Sequence, residues 1–303
     1  MGHDVEQGVE MVEPPQIIVR GDEFQRVWET IVSEATLPRR FRNLHEISYA
    51  EFRQKVLERD REFVETMPRL IYAGDALLIR GAFTKSFIVW LKEAVTAWCR
   101  QRPSGFYKMV EGCPDFHRKI DEEAAKKYSF KGLKHACYFY PWNDDPLKIF
   151  PTVWDRWGLC KVLSGQRFDE FCRNTPKDEV IDRIQVVRYP SGAGVLETHS
   201  DPYLHQRLII SGYMSTRGED FETGGFYMIG PDDQRVDMED RIDAGDMLIA
   251  YATVLHGVGI VDAHKPVDWD STQGRWFLSM YSNASDEVAN RHTGYAVKLT
   301  SER

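Results

Sequence analysis

The sequence has no run of about 18 apolar residues, and its first residues lack the charged-then-apolar order of an export signal. A membrane-spanning helix is therefore not expected, and the reading is a soluble, unexported, cytoplasmic protein. Cysteine is sparse: Cys99, Cys113, Cys137, Cys160 and Cys172 include no CxxC pair, so neither a disulfide framework nor a thiolate zinc site is indicated. They read as free thiols in a reducing compartment. Positive charge is in deficit, with 39 Lys and Arg against 47 Asp and Glu, a formal net charge of -8. That balance gives no broad attraction for phosphate backbones, so nucleic acid is not an expected partner. There is no internal repeat, no low-complexity tract and no linker marking a second domain. Met1-Gly2 opens like a myristoylation signal, but Glu6 stands where Ser or Thr is required.

What is present is ample material for a core, with 42% apolar and 12% aromatic residues in 303. The acidic, aperiodic residues 1–15 read as a loose tail, and 16–303 as one domain. Residues 22–35 carry Phe24, Val27, Trp28, Ile31 and Val32 at helical spacing. Ser48 and Glu51 form a capping-box signature ahead of a helix running through to Met67. Ala76 to Phe83 reads as a strand, Thr84 to Cys99 as a helix behind it, and Val153 to Arg173 as a further helix. The intervening 102–151 is rich in aromatics broken by Pro and Gly. It reads either as irregular packing over the core or as a segment covering a substrate.

From Ile181 the texture changes to short apolar runs divided by Gly, Asp and Pro, the pattern of a β-sandwich or barrel. Within it, His199 and Asp201 stand in HxD spacing at a strand end. Side chains at i and i+2 point the same way along a strand, so both can grip one ion. We read them as two ligands of a non-haem iron, since two His and one carboxylate leave open positions for a co-substrate and oxygen. His256, after the turn and apolar strand of 243–254, supplies the third ligand. Arg275 opens the strand that carries Phe277, Ser279 and Tyr281 on one face, and its planar fork suits a carboxylate-bearing co-substrate.

In this order the motifs over Ile181 to Asp286 resemble the double-stranded β-helix core of the iron(II)/2-oxoglutarate-dependent oxygenases, and within them the prolyl-hydroxylase type. Tyr189-Pro190-Ser191-Gly192 matches the family turn before the HxD, Tyr213 a second tyrosine, Gly224-Gly225 the paired-glycine strand and Asp243 to Ile249 the following one. The resemblance implies an α+β protein with a jelly-roll, cupin-like core over about 181–286 and a supporting layer of N-terminal helices and a lid segment over about 16–180. It implies Fe(II), 2-oxoglutarate and O2, with the 2-oxoglutarate held by Arg275, Tyr213, Tyr189 and Ser279 and decarboxylated to succinate. The gap between His256 and Arg275 is longer than in the prolyl-hydroxylase type. Halogenating relatives replace the carboxylate ligand by a small residue, so Asp201 points to hydroxylation, desaturation or ring closure.

For the substrate, Trp142, Tyr203, His205 and Arg207 are candidate contacts, and aromatic faces with His and Arg suit a small polar molecule. Two other readings stand beside this one: a protein side-chain hydroxylase of the same chemistry, and a metal-binding β-barrel without oxygenase activity. Zinc in place of iron is compatible with the ligands alone. The sequence carries no signal for oligomeric state.

Overall fold

The computed structural model describes residues 19–128 and 131–297; the tail expected over 1–15 lies outside them. In chain order the helices are α1 (Asp22–Ile31), α2 (Tyr49–Glu58), α3 (Arg61–Tyr72), α4 (Lys85–Arg100), α5 (Glu122–Ala125) and α6 (Phe150–Leu163). The strands are β1 (Leu44–Ser48), β2 (Ala76–Arg80), β3 (Phe116–Ile120), β4 (Gly132–Phe139), β5 (Val180–Pro190), β6 (Val195–Ser200) and β7 (Leu208–Tyr213). They continue as β8 (Gly225–Ile229), β9 (Arg235–Asp237), β10 (Met247–Tyr251), β11 (His256–Gly259), β12 (Gly274–Ala284) and β13 (Tyr295–Ala296).

Local chemistry sets the helix ends. The Ser48 hydroxyl accepts from the Glu51 amide at 3.2 Å and starts α2. The single long helix expected from Ser48 to Met67 is instead two. Arg59 adopts a left-handed φ of 53° that ends α2, and the Asp60 carboxylate accepts from the Phe63 amide at 2.8 Å to start α3. The helix expected over 153–173 stops at Leu163, because Gly165 turns left-handed at φ 86° against Gln25. Phe24, Val27 and Trp28 of α1, Phe52 and Val56 of α2, and Leu91 and Val95 of α4 are buried in one core with β2, β7 and β10. Each such side chain contributes roughly 1.5–3 kcal/mol on burial.

The strand order shows how the site is built. From β5 to β12, apart from the β8/β9 hairpin, the chain alternates between two sheets. One runs β10-β7-β12-β5, extended by β2 and β1; the other runs β6-β11-β8-β9. Alternation of successive strands between facing sheets is the double-stranded β-helix, or jelly roll. Four strands that precede residue 181 also join it. β2 pairs β10 antiparallel, β1 pairs β2 in parallel, and the segment read as irregular packing or as a substrate cover contributes the hairpin β3/β4. β4 bridges the two sheets, pairing β5 through His135 to Phe139 and β6 through Gly132 and Leu133. Among the described residues no helix is long and apolar enough to cross a membrane.

Candidate active site

β6 and β11 are antiparallel neighbours, and their register sets His199 directly opposite His256. The two rings lie 4.4 Å apart between centroids. Asp201 follows the end of β6, where its amide donates to the Ala252 carbonyl at 3.0 Å. Its carboxylate oxygens stand 3.6 Å from His199 Nε2 and 3.6 Å from His256 Nε2. Each imidazole uses its other nitrogen on the backbone: His199 Nδ1 is 2.9 Å from the Glu197 carbonyl and His256 Nδ1 is 2.9 Å from the Val254 carbonyl. A carbonyl only accepts, so Nδ1 carries the proton in both rings and the Nε2 lone pairs face Asp201. That is the tautomer a metal ion needs, and the donor set of two imidazoles and one carboxylate fits iron(II). Burial, with His256 adding to it, pushes the His199 imidazolium down to about 4, so this ring is neutral at physiological pH.

Arg275 approaches the same cavity from the facing sheet. In the β12/β5 register it stands opposite Tyr189, and Phe277 of β12 stands opposite Tyr213 of β7. The guanidinium is 2% exposed and ringed by Tyr189, Tyr213, Phe226 and Phe277, with its carbon 5.2–5.9 Å from their centroids. Its Nε donates to Glu239 Oε1, a carboxylate equally buried, which also accepts from the Phe226 amide at 2.8 Å. Burial works against the arginine cation, but Glu239 more than offsets it and the pKa rises above its ordinary value. With Nε engaged, the two terminal nitrogens form the fork open to a ligand. The Tyr189 and Tyr213 hydroxyls are buried without a partner, and burial holds both far above the usual phenol range. Two neutral O–H donors beside a guanidinium make a cradle for a carboxylate, and such orphaned groups cost free energy until a ligand satisfies them.

A cavity of about 400 Å³ joins these parts. His199, Asp201, His256, Arg275, Tyr213, Tyr189 and Ser279 all line it. Trp142, Tyr203, His205 and Arg207 do not. The Trp142 indole donates to the Cys113 carbonyl and stacks on Tyr140 in a separate cluster. Tyr203 packs edge-on against His292, and the His205 carbonyl accepts from Gln166. Arg207 binds Gln25 and the Ser164 carbonyl over the Trp28 ring, tying α1 to the sheet. The cavity wall comes instead from Lys134 and Tyr138 of β4, Arg183 and Gln185 of β5, and Tyr281 and Asn283 of β12. Burial pulls the Lys134 ammonium down to about 8, with Arg183 adding to the shift. Arg183 Nε is buried without a partner. Sequence reasoning missed Lys134, Arg183 and Glu239. The first two follow from period-2 alternation once β4 and β5 are known to wall the cavity, whereas nothing in the local sequence marks Glu239.

No family model matches the chain, and no curated protein matches it. Solved structures do resemble it. A full-length Neurospora crassa protein in complex with α-ketoglutarate is 13% identical, with TM-score 0.48, covering 84% of this chain and 87% of that one. A Pseudomonas putida prolyl-4-hydroxylase is 13% identical, with TM-score 0.41, covering 68% and 90%. An oxidoreductase of the 2OG-Fe(II) oxygenase family from Burkholderia pseudomallei is 12% identical, with TM-score 0.42, covering 85% and 98%. The site's own geometry, rather than this likeness, carries the functional reading.

Proposed function

We propose that the protein is an iron(II)- and 2-oxoglutarate-dependent oxygenase that oxidises a C–H bond of a small anionic molecule. The carrying observation is the meeting, in one cavity, of a tautomer-fixed two-His-one-carboxylate cluster and a buried arginine flanked by two unpartnered tyrosine hydroxyls. His199, Asp201 and His256 would hold the iron. When bound, iron with 2-oxoglutarate supplies oxidising power by coupling decarboxylation to succinate with oxygen reduction. The chain's residues bind and orient. Arg275 and Glu239 together are neutral, so the distal carboxylate is held by hydrogen bonds from the guanidinium fork, Tyr189 and Tyr213, with Ser279 beside them on β12, rather than by unopposed charge. The surrounding aromatic rings exclude water and strengthen those bonds.

The substrate reading rests on Lys134 and Arg183. Two cationic side chains on neighbouring strands of one wall, one with an unpartnered Nε, suit a carboxylate or phosphate group on the substrate. Tyr138 and Tyr281 add flat faces for a ring or an apolar stem. A cavity of about 400 Å³ suits a small molecule, which favours that class over a protein side chain.

The test is succinate formation from 2-oxoglutarate by anaerobically iron-loaded protein after admission of air, across a panel of small carboxylates and phosphates. Wild type is expected to turn over with one class of panel compound. His199→Ala should abolish turnover, Arg275→Ala should raise the 2-oxoglutarate requirement more than tenfold, and Lys134→Ala should weaken the substrate alone. Wild type that neither binds 2-oxoglutarate nor makes succinate would sink the proposal.

A further inference from the structure

A second group of metal-binding side chains lies on the opposite face of the wall that lines the cavity. Along β4, Lys134 and Tyr138 face the catalytic cavity. His135 and Cys137, the residues between, therefore point to the other side. His117 of β3 stands opposite Cys137 in the hairpin register, and so shares that face. Cys99, in the last turn of α4, closes over it. One ligand atom from each of Cys99, His117 and His135 lies within 4.8 Å of the others. Cys137 Sγ is 3.1 Å from Cys99 Sγ, and His135 Nε2 is 2.9 Å from His117 Nδ1. A helix end and two strands thus deliver one sulfur and two imidazole nitrogens to one point, with the second sulfur, Cys137 Sγ, lying against Cys99, beside a cavity of about 320 Å³ that all four residues line.

The surroundings orient His117 as a metal site requires. His117 Nε2 is 2.9 Å from the Arg102 carbonyl, so Nε2 bears the proton and the Nδ1 lone pair turns to the cluster. Cys99 and Cys137 are 7% and 2% exposed, so neither thiol is satisfied by bulk water. Arg188 of β5, in register with His135, is pinned by the Asp268, Trp269 and Gln273 carbonyls and lines the same cavity. Around a tetrahedral ion with bonds of about 2.0–2.3 Å, ligand atoms stand roughly 3.3–3.8 Å apart. The sulfur–sulfur spacing of 3.1 Å and the imidazole–imidazole spacing of 2.9 Å are tighter than this, and rotamer shifts that part each pair and swing Cys137 toward the histidines complete the tetrahedron.

We propose that Cys99, His117, His135 and Cys137 form a structural zinc(II) site, separate from the catalytic cluster, that clamps the end of α4 to the β3/β4 hairpin. Two thiolates and two neutral imidazoles cancel the dication, so the filled site is neutral beside Arg188 and Lys119 and does not repel them. Sulfur and imidazole donors select zinc over the oxygen-preferring divalent ions. Binding releases two thiol protons, moves the His135 proton to Nδ1, and involves no change of oxidation state. By fixing β4 from behind, the ion would hold Lys134 and Tyr138 in the catalytic wall.

Cobalt(II) titration of the metal-free protein, kept reduced with a phosphine, tests the site. The catalytic cluster contains no sulfur, so thiolate-to-cobalt charge transfer reports this site alone, whatever the outcome for the oxygenase reading. The expected result is one equivalent of cobalt giving that absorption with tetrahedral ligand-field bands, displaced by zinc. It should persist in His199→Ala and Cys113→Ala and vanish in Cys99→Ser and His135→Ala. Wild type without charge-transfer absorption overturns the proposal, as does absorption that survives the combined Cys99→Ser and Cys137→Ser change. The wild-type titration decides by itself if a variant does not fold.

Discussion

Asp115 shows how one buried side chain ties stability to pH. It sits just before β3, where its Oδ1 accepts from the Tyr140 amide at 3.0 Å and from Asn143 Nδ2 at 2.9 Å. Burial outweighs those bonds and raises its pKa from 3.8 to about 7. The folded protein therefore keeps this proton to about pH 7, while the unfolded chain releases it near 3.8. Between those values the native state binds more protons, so this group's contribution is full below about pH 4 and is lost as pH rises through 7. Asp115→Asn preserves the acceptor oxygen and removes the charge. Urea unfolding should show the variant close to wild type at about pH 4 and more stable at about pH 8. The gap should grow by at most about 1.4 kcal/mol per pH unit. A gap that does not change with pH would refute the assignment.

At the scale of elements, β8 begins with a backbone that only glycine tolerates. Gly225 has φ 110°, and a Cβ there would lie 2.3 Å from Glu239 Cγ. The close approach lets Glu239 reach both the Phe226 amide and Arg275. Gly225→Ala should cost roughly 2 kcal/mol in backbone strain alone. It should also displace Glu239 and leave the arginine buried without its partner, a change of about 3–5 kcal/mol in comparable pairs. Measured by urea unfolding, a loss under about 1 kcal/mol would mean that the Glu239 contact is not made. The paired glycines at 224 and 225 stood out in the sequence as a strand motif, but their purpose did not. Gly224 makes room for the Ile260 carbonyl and Gly225 for the side chain of Glu239, well beyond the end of β8, and no local pattern connects these positions.

At the scale of the whole molecule, the two facing sheets bring the two-His-one-carboxylate cluster at β6 and β11 against the arginine from β12, so on the proposed function ligand binding should stabilise the entire jelly roll. With anaerobic iron(II) present, 2-oxoglutarate at about 100 times its dissociation constant should add roughly 2.7 kcal/mol to unfolding. At the same 2-oxoglutarate concentration the shift should fall to about 1.4 kcal/mol or less in Arg275→Ala. Thermal unfolding of wild type that is indifferent to 2-oxoglutarate would contradict the cradle formed by Arg275, Tyr189 and Tyr213.

The sequence by itself determined the elements whose signals are local. The HxD spacing and the lone His256 after an apolar strand are carried by period-2 alternation, as is the face shared by Arg275, Phe277, Ser279 and Tyr281. All of these residues line one cavity. Ser48 as a helix cap was equally plain, because a cap reaches only about three residues along the chain. Tertiary structure decided everything that depends on register between distant segments. It placed β3 and β4 within 102–151, where the sequence read only irregular packing or a substrate cover, since antiparallel pairing with β5 is a long-range choice that aromatic composition does not encode. It moved the cavity wall from Tyr203, His205 and Arg207 to Lys134 and Arg183, and it paired Arg275 with Glu239. It also drew Cys99, Cys137 and two histidines together from positions with no metal-binding spacing. Spacing along the chain reports only ligands on one element, whereas this cluster is assembled by a helix end and two strands.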